Sequence, residues 1–280
     1  GFTCINSNTY PMKKFLQKIF KTLFYLLFSK IYGKIEKSIK ENDDNRIKIK
    51  IVNIKENLKY KVYEIINGRL YTDRIHDTAV MLDNKIIEGP SFQLRYNQSK
   101  IYNSNIRDNI VFNKGTSRVL KKLEGTTLSL LTGGAGNNNY WHWLYDVLPR
   151  LSLCSKIVDL KEIDFFLFPN LSKKFQNETL DCLNIPQSKR LSSEKFRHIA
   201  TEELLVTDHP VVVTGDTSRD IQNIPSWIML WLRNSFINHN IINNKKSKNK
   251  IYIDRRDSKH ANERLIKNEE EVKKYLLNNN

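Results

Sequence analysis

Near Gly125 the pattern of the chain changes, and that change limits the folds open to it. Between Arg46 and about Arg118, short β-like runs (IKIKIVNI, KYKVYEII, GRLYTD, AVMLD, KIIEGPSFQLR and NIVF) are separated by turn residues. Asn67-Gly68, between two of these runs, predicts a hairpin because both residues tolerate positive φ. After Gly125 strands and helices alternate. TLSLLT, DFFLFP and ELLVTDHPVVV read as strands, and YWHWLYDVLPRLSLCSKI, SKKFQNETLDCLNI and IPSWIMLWLRNSFINHNII as helices. Alternation of this kind predicts a parallel sheet with helices on its faces. The class is therefore α/β: a domain over residues 46–243 whose first part is an antiparallel β subdomain acting as a scaffold. NNKKSKN, residues 243 to 249, is a polar linker, and KIYIDRRD opens a further strand-loop-helix unit over 247–280, which places a boundary near residue 245.

At 40% hydrophobic and 10% aromatic residues, the 280-residue chain can bury a core and is not disordered throughout. Its formal charge of +16 has two readings: an anionic partner, or a coding bias that enriches Lys, Asn and Ile everywhere. Lysine outnumbers arginine roughly two to one, and no element clusters arginine with aromatics as a base-reading surface does, so no nucleic-acid partner is expected. Cys4, Cys154 and Cys182 are widely spaced and lack CxxC or histidine-pair context. They indicate neither a disulfide framework nor a zinc site, and fit a reducing, cytoplasmic compartment with no metal.

Met12 opens a run in which Phe15, Leu16, Ile19, Phe20, Leu23, Leu26, Leu27, Ile31 and Ile35 recur at spacings of three and four, with Lys14, Lys18 and Lys21 opposite. This predicts a basic amphipathic helix over 12–40, with residues 1–11 as an upstream, non-native segment. The uncharged stretch Thr22 to Ser29 falls far short of the roughly 20 residues of a bilayer crossing. Two placements remain open: on the anionic inner face of the plasma membrane, or packed on the domain with its lysines solvated.

Three constellations carry chemistry. TGGAGNNN joins a strand to a helix, where glycines admit a ligand to backbone amides and a helix N-terminus favours an anion; a tight βα turn is the competing reading. In the helix that follows, His142 and Asp146 are four apart and share a face, so the carboxylate can orient the imidazole and raise its basicity. Such a pair can act as a general base on a sugar hydroxyl, or be a satisfied polar contact at a core edge. Tyr140, Trp141 and Trp143 beside it suit stacking on sugars. In YIDRRDSKHANERLIKNEEEV, Arg255 and Arg264 are nine residues apart and can converge on a diphosphate, or lie on a charged surface loop. DHPVVVTGD, with Asp208, His209 and Asp216, reads as a β-turn with a capping Asp and is given no role.

Taken together, LTGGAGNNNYWHWLYDVLPRL, KFRHI, TDHP, NIPSW and YIDRRDSKHANERLIKNEEEV resemble glycosyltransferase family 61, the group of bacterial capsular polysaccharide biosynthesis proteins, from about residue 60 to the end. The resemblance implies a GT-B architecture of two Rossmann-like domains and an inverting transfer from a nucleotide sugar to a glycan or lipid-linked glycan, with no cofactor or metal. It places acceptor and base in the first domain, with His142 and Asp146 as the catalytic pair and Gly134, Asn139, Tyr140, Trp141 and Arg150 on the acceptor side. It assigns the donor diphosphate to Arg255 and Arg264. Asp254 stands where many members have serine, and DSKHANE lengthens the spacing, so Arg256 is a substitute for Arg255. The family's later H-G-A-G-[LF] loop has no counterpart before Asn280. The chain is thus expected to hold only the start of the donor domain, and to transfer sugar negligibly by itself.

Two other functions compete. A basic membrane-associated or nucleic-acid-binding protein explains the charge and the N-terminal helix, and predicts steeply salt-dependent binding to nucleic acid. A hydrolase built on His142 and Asp146 lacks a nucleophile in a recognisable elbow.

Overall fold

The β-like runs are strands in the computed structural model, which describes residues 9–54, 57–91, 94–97, 100–132, 136–214, 216–237, 252 and 266–278. They are β1 (Lys37–Ile39), β2 (Ile47–Ile54), β3 (Leu58–Ile66), β4 (Gly68–Thr72), β5 (Thr78–Leu82), β6 (Lys85–Ile87), β7 (Leu94–Asn97) and β8 (Lys100–Asn103). Beyond them lie β9 (Lys121–Ser129), β10 (Phe165–Phe168), β11 (Arg190–Ser192) and β12 (His198–Thr207). The chain divides into two units, Gly1–Ile241 and Ile242–Asn280.

In the first unit, ten strands share one mixed sheet in the order β1-β6-β5-β4-β12-β9-β10-β11, with β2 paired to β3 and β3 to β12; β7 and β8 pair separately. The antiparallel runs are therefore not a subdomain apart from the parallel ones. β12 joins them, parallel to β9 on one edge and antiparallel to β3 and β4 on the other.

The hairpin predicted at Asn67-Gly68 does not form. β3 and β4 run on along β12 in a single register, with Ile66 opposite Glu203 and Arg69 opposite Ala200. Asn67 takes φ +55° and its N–H donates to the Glu202 carbonyl at 2.7 Å. Gly68 packs so closely that an added Cβ would stand 2.5 Å from Leu204 Cβ. Pairing with β12 and burial against Leu204 outweigh the local turn preference.

At the same level β9 carries Gly125 at φ +83°, a conformation that costs glycine little, and its register on β12 shifts between Thr201 and Glu203. Along β12 the inward alternation changes phase here, from Ile199 on one side to Leu204 and Val206 on the other. A bulge of this kind bends the strands locally and makes a crease here. The halves of the sheet close over one core in which Leu70, Val80 and Leu82 meet Ile65, Leu167 and Leu191.

Helices cover the outer face of the parallel half: α3 (Tyr140–His142), a π turn (Trp143–Val147), α4 (Pro149–Cys154), α5 (Lys174–Cys182) and α7 (Ser226–Ile237). Trp143, Leu151, Leu180 and Ile228 pack there on Leu128, Phe166 and Leu205. A buried aromatic such as Trp143 contributes about 3–5 kcal/mol by the measure of its loss.

On the antiparallel half, Ala79, Met81 and Ile86 meet Ile35 and Val111. NIVF, predicted as strand, is instead the start of α2 (Ile110–Lys114). The Asn109 side chain caps Val111 N–H, and Asp77 accepts from Ile110 N–H at 2.7 Å, chemistry that nucleates a turn of helix.

The N-terminal helix α1 spans Thr9–Tyr32, so it both begins before 12 and ends before 40. Ile35 leaves it for the core and Lys37–Ile39 pairs with β6, tertiary contacts that outweigh the continuing helical spacing. Tyr32 fixes its end, accepting from Leu120 N–H at 2.9 Å and standing edge-on to His198. The strand predicted over ELLVTDHPVVV begins earlier, at His198, and stops at Thr207, because Pro210 and the turn beyond it carry the backbone away. After β12, α6 (Thr217–Gln222) precedes α7. In the second unit α8 (Glu269–Asn278) has three glutamates in its first turn, favourable to the helix dipole, and Glu269 accepts from the Tyr252 hydroxyl at 2.9 Å.

The crease yields a prediction. Gly68→Ala forces its methyl against the Leu204 backbone stem, an overpacking of about 1–3 kcal/mol. The urea midpoint should fall accordingly, and an unchanged midpoint would mean that the two strands do not approach as described.

Candidate active site

β9, β10 and β11 succeed one another outward, and the chain then returns to lay β12 on the far side of β9. Strand order thus reverses between β9 and β12, and in open α/β sheets ligands settle beyond the carboxyl ends of strands at such a point. The segment after β9 supplies His142 and Asp146, and the segment after β12 supplies His209.

Local chemistry shapes the first of these. The Asn139 side chain accepts from Trp141 and His142 N–H and starts the helix. One turn later Leu148 N–H bonds to the Trp143 carbonyl, a π turn that Pro149 favours because its ring would clash with the Tyr145 carbonyl in a tighter one. Trp143 Nε1 donates to Thr179 Oγ1 at 2.9 Å and ties this turn to α5. Gln176 Nε2, from the same helix, donates to the Gly136 and Asn137 carbonyls and holds the end of the glycine loop.

Within this frame His142 Nδ1 lies 2.6 Å from Asp146 Oδ2. The Asp146 side chain is 3% exposed and that of His142 32%, so the carboxylate is sealed behind the imidazole. With Asp146 as carboxylate, Nδ1–H donates to it and Nε2 keeps a lone pair available for a proton.

The second Asp146 oxygen, Oδ1, accepts no hydrogen bond among the described residues and faces His209 Nε2 at 3.9 Å. His209 Nδ1 accepts from the N–H groups of Val211 and Val212, which assigns its proton to Nε2, the atom turned toward Asp146. Burial keeps this imidazole neutral, pushing it down to about 4. Arg150, also buried, donates from Nε to the Asp146 carbonyl and from Nη1 to the Thr207 carbonyl, both at 2.9 Å. It locks the helix to the last residue of β12. Burial lowers its guanidinium to about 10, where it is still a cation at neutral pH.

Two residues predicted on the acceptor side, Arg150 and Asn139, also contribute to this frame. Arg150 is buried, with Nε bonded to the Asp146 carbonyl and Nη1 to Thr207, and the side-chain oxygen of Asn139 accepts hydrogen bonds in the helix cap. Tyr140 is 53% exposed with its edge against Phe175, and Trp141, half-buried, stands perpendicular to His142 at 4.9 Å and against Tyr145 at 5.0 Å. These rings offer apolar surface beside the imidazole. Gly134, Arg255, Arg256 and Arg264 lie outside the described residues. No group of three or more His, Cys, Asp or Glu side chains among the described residues is placed to hold a metal ion.

His209 is the residue that sequence reasoning set aside. Asp220, rather than Asp216, closes its turn by accepting from Val213 N–H, Thr214 N–H and the Thr214 hydroxyl, while Asp216 caps α6. A signal did exist: a histidine directly after a buried strand, at the edge where the neighbouring strand leads into His142.

A family model described as Glycosyltransferase 61 matches residues 140–280. No curated protein and no solved structure gives a significant match.

The buried imidazoles set a pH dependence. His209 and His198 are both held down to about 4 by burial, whereas unfolded histidines titrate near 6.5. Between those values the unfolded chain binds protons that the native one does not, so stability falls as pH drops from about 6.5 toward 4. The urea midpoint should decline across that window, and imidazole 15N shifts should report His209 Nδ1 as unprotonated throughout the upper part of it. A flat midpoint, or a protonated Nδ1 at neutral pH, would refute the assignment.

Proposed function

We propose a one-step sugar transfer for this chain, which belongs to glycosyltransferase family 61. Its His142 imidazole takes the proton of an acceptor hydroxyl, the freed oxygen attacks the anomeric carbon of a nucleotide sugar, and the bond to the diphosphate breaks with its electron pair leaving on the nucleotide. Attack opposite the leaving group inverts the anomeric centre. The proton ends on His142, where the Asp146 carboxylate stabilises the imidazolium, the arrangement in which general-base catalysis contributes about 10²–10⁴-fold. His142 is the half-exposed member of the pair and therefore the catalytic one in this reading. Asp146, His209 and Arg150 position it.

The observation that carries the proposal is the 2.6 Å His142–Asp146 contact at the strand-order reversal between β9 and β12. Tyr140 and Trp141 supply faces on which a glycan acceptor, free or lipid-linked, can stack. Arg255 or Arg256, with Arg264, is assigned to the donor diphosphate, because guanidinium forks pair bidentately with phosphate oxygens and neutralise the departing charge without a metal. A GT-B architecture accommodates this division of acceptor and donor between two domains, and surface or capsular polysaccharide assembly on the cytoplasmic side is the setting proposed for it.

The test is nucleoside diphosphate release by the full-length protein from a panel of nucleotide sugars with glycan acceptors. His142→Ala and Asp146→Asn should each lower kcat by about 10²–10⁴-fold while calorimetry finds donor affinity unchanged. Full turnover in His142→Ala would remove the histidine from the chemistry.

A further inference from the structure

We infer that α1 docks this protein onto an anionic lipid surface, a property independent of the chemistry at His142. At about 100° per residue, Phe15, Ile19, Phe20, Leu23, Leu27 and Ile31 occupy one half of the helix circumference. Each is between 40% and 63% exposed. In the C-terminal turns of the helix the opposite half meets the domain. Phe28 is buried there, Tyr25 abuts Gly115, and Tyr32 is fixed by Leu120 and His198.

The helix therefore does not use the domain to cover its apolar side; it holds that side outward. Six such residues in one continuous exposed stripe exceed the scattered apolar exposure of an ordinary surface.

Charge selects the occupant. Between Thr9 and Tyr32 there is no Asp or Glu, while Lys18 and Lys21 are exposed on the half opposite the apolar stripe and Lys30 is exposed in the last turn within it, where its stem can reach along the surface to a headgroup. Two copies of α1 packed on this face would bury Lys30 and bring together two lysine-rich helices with no acid to pair. An anionic leaflet supplies the missing countercharge along with a medium for the apolar side chains. No helix among the described residues is long and apolar enough to cross a membrane, so the geometry is that of a helix lying in the headgroup plane with the domain on its polar side.

The experiment is flotation of the full chain with vesicles of phosphatidylcholine alone and of an equimolar phosphatidylcholine–phosphatidylglycerol mixture. The protein should float with the mixture, release with added salt, and stay largely unbound on the neutral vesicles. Phe20→Ser with Leu27→Ser should abolish flotation. Lys18→Glu with Lys21→Glu should weaken it by roughly tenfold or more, given a roughly fivefold contribution per lysine near such a surface. All four side chains are exposed, so near-ultraviolet circular dichroism should be unchanged. As a check that keeps the face apolar, the Leu23→Trp variant should show a blue-shifted emission on the mixed vesicles only. Absence of flotation, or equal flotation of the serine variant, overturns the inference. So does light scattering that finds a dimer split by the serine substitutions without vesicle binding, which would give the face to a second copy of the chain.

Discussion

The first unit depends on the two edges of β12. One edge bonds to β9 in parallel, the other to β3 and β4 in antiparallel, so the backbone groups of this strand are consumed on both sides and it cannot shift without breaking both halves of the sheet. Its side chains divide the interior. Leu205 points into the helix-covered layer, whereas Leu204 and Val206 point into the core between the creased halves. At its end, the Thr207 carbonyl receives the Arg150 guanidinium, and two residues on stands His209. The placement of the site is thus the last consequence of a ladder that starts at His198.

The energetics at Asp146 set a desolvation cost against few compensating contacts. Placing an ionised carboxylate out of water costs several kcal/mol. Against this stand one charge-assisted hydrogen bond, worth about 1.5–3 kcal/mol, and the field of Arg150, which binds the backbone of Asp146 rather than its carboxylate. A surface ion pair of the same sequence spacing contributes roughly 0–1 kcal/mol; burial moves this pair into the stronger class and also exposes it to the full desolvation cost. Oδ1 is left without a hydrogen bond among the described residues, so the carboxylate is held by the packing around it more than by its own contacts. Groups kept in that state are concentrated where chemistry needs them.

Local period made much of this legible. β2, β3, α5 and α7 lie where alternation or helical spacing put them, and β10 lies where a short apolar run put it, buried on both faces. The proximity of His142 and Asp146 follows from their four-residue spacing, and the mixed α/β class from the alternation after Gly125. What the period could not convey was partnership. Asn67-Gly68 has the composition of a hairpin, yet a strand more than a hundred residues later takes up both flanking runs. NIVF has strand composition, but its own Asn109 caps a helix and Asp77, from outside the run, accepts from Ile110 N–H. The resemblance puts Arg150 on the acceptor side, and nothing local announces that its Nη1 donates to Thr207, fifty-seven positions away. His209 depends in the same way on a helix that precedes it by sixty residues. Each miss is a long-range partner overriding a local preference.

The place of β12 in the chain has a consequence for how the protein is made. The strand that completes the antiparallel half is the last of the twelve described strands to be synthesised: Tyr63 and Asp208, which share a hydrogen bond, are 145 positions apart. Until residues near 207 leave the ribosome, β3 and β4 must wait with an unpaired edge, and their apolar faces lack the other wall of the core. Closing loops of that length before any contact rewards them slows folding, and open edges invite pairing with other chains. Chaperone demand and aggregation during synthesis should therefore concentrate in the interval between the emergence of β3 and the arrival of β12.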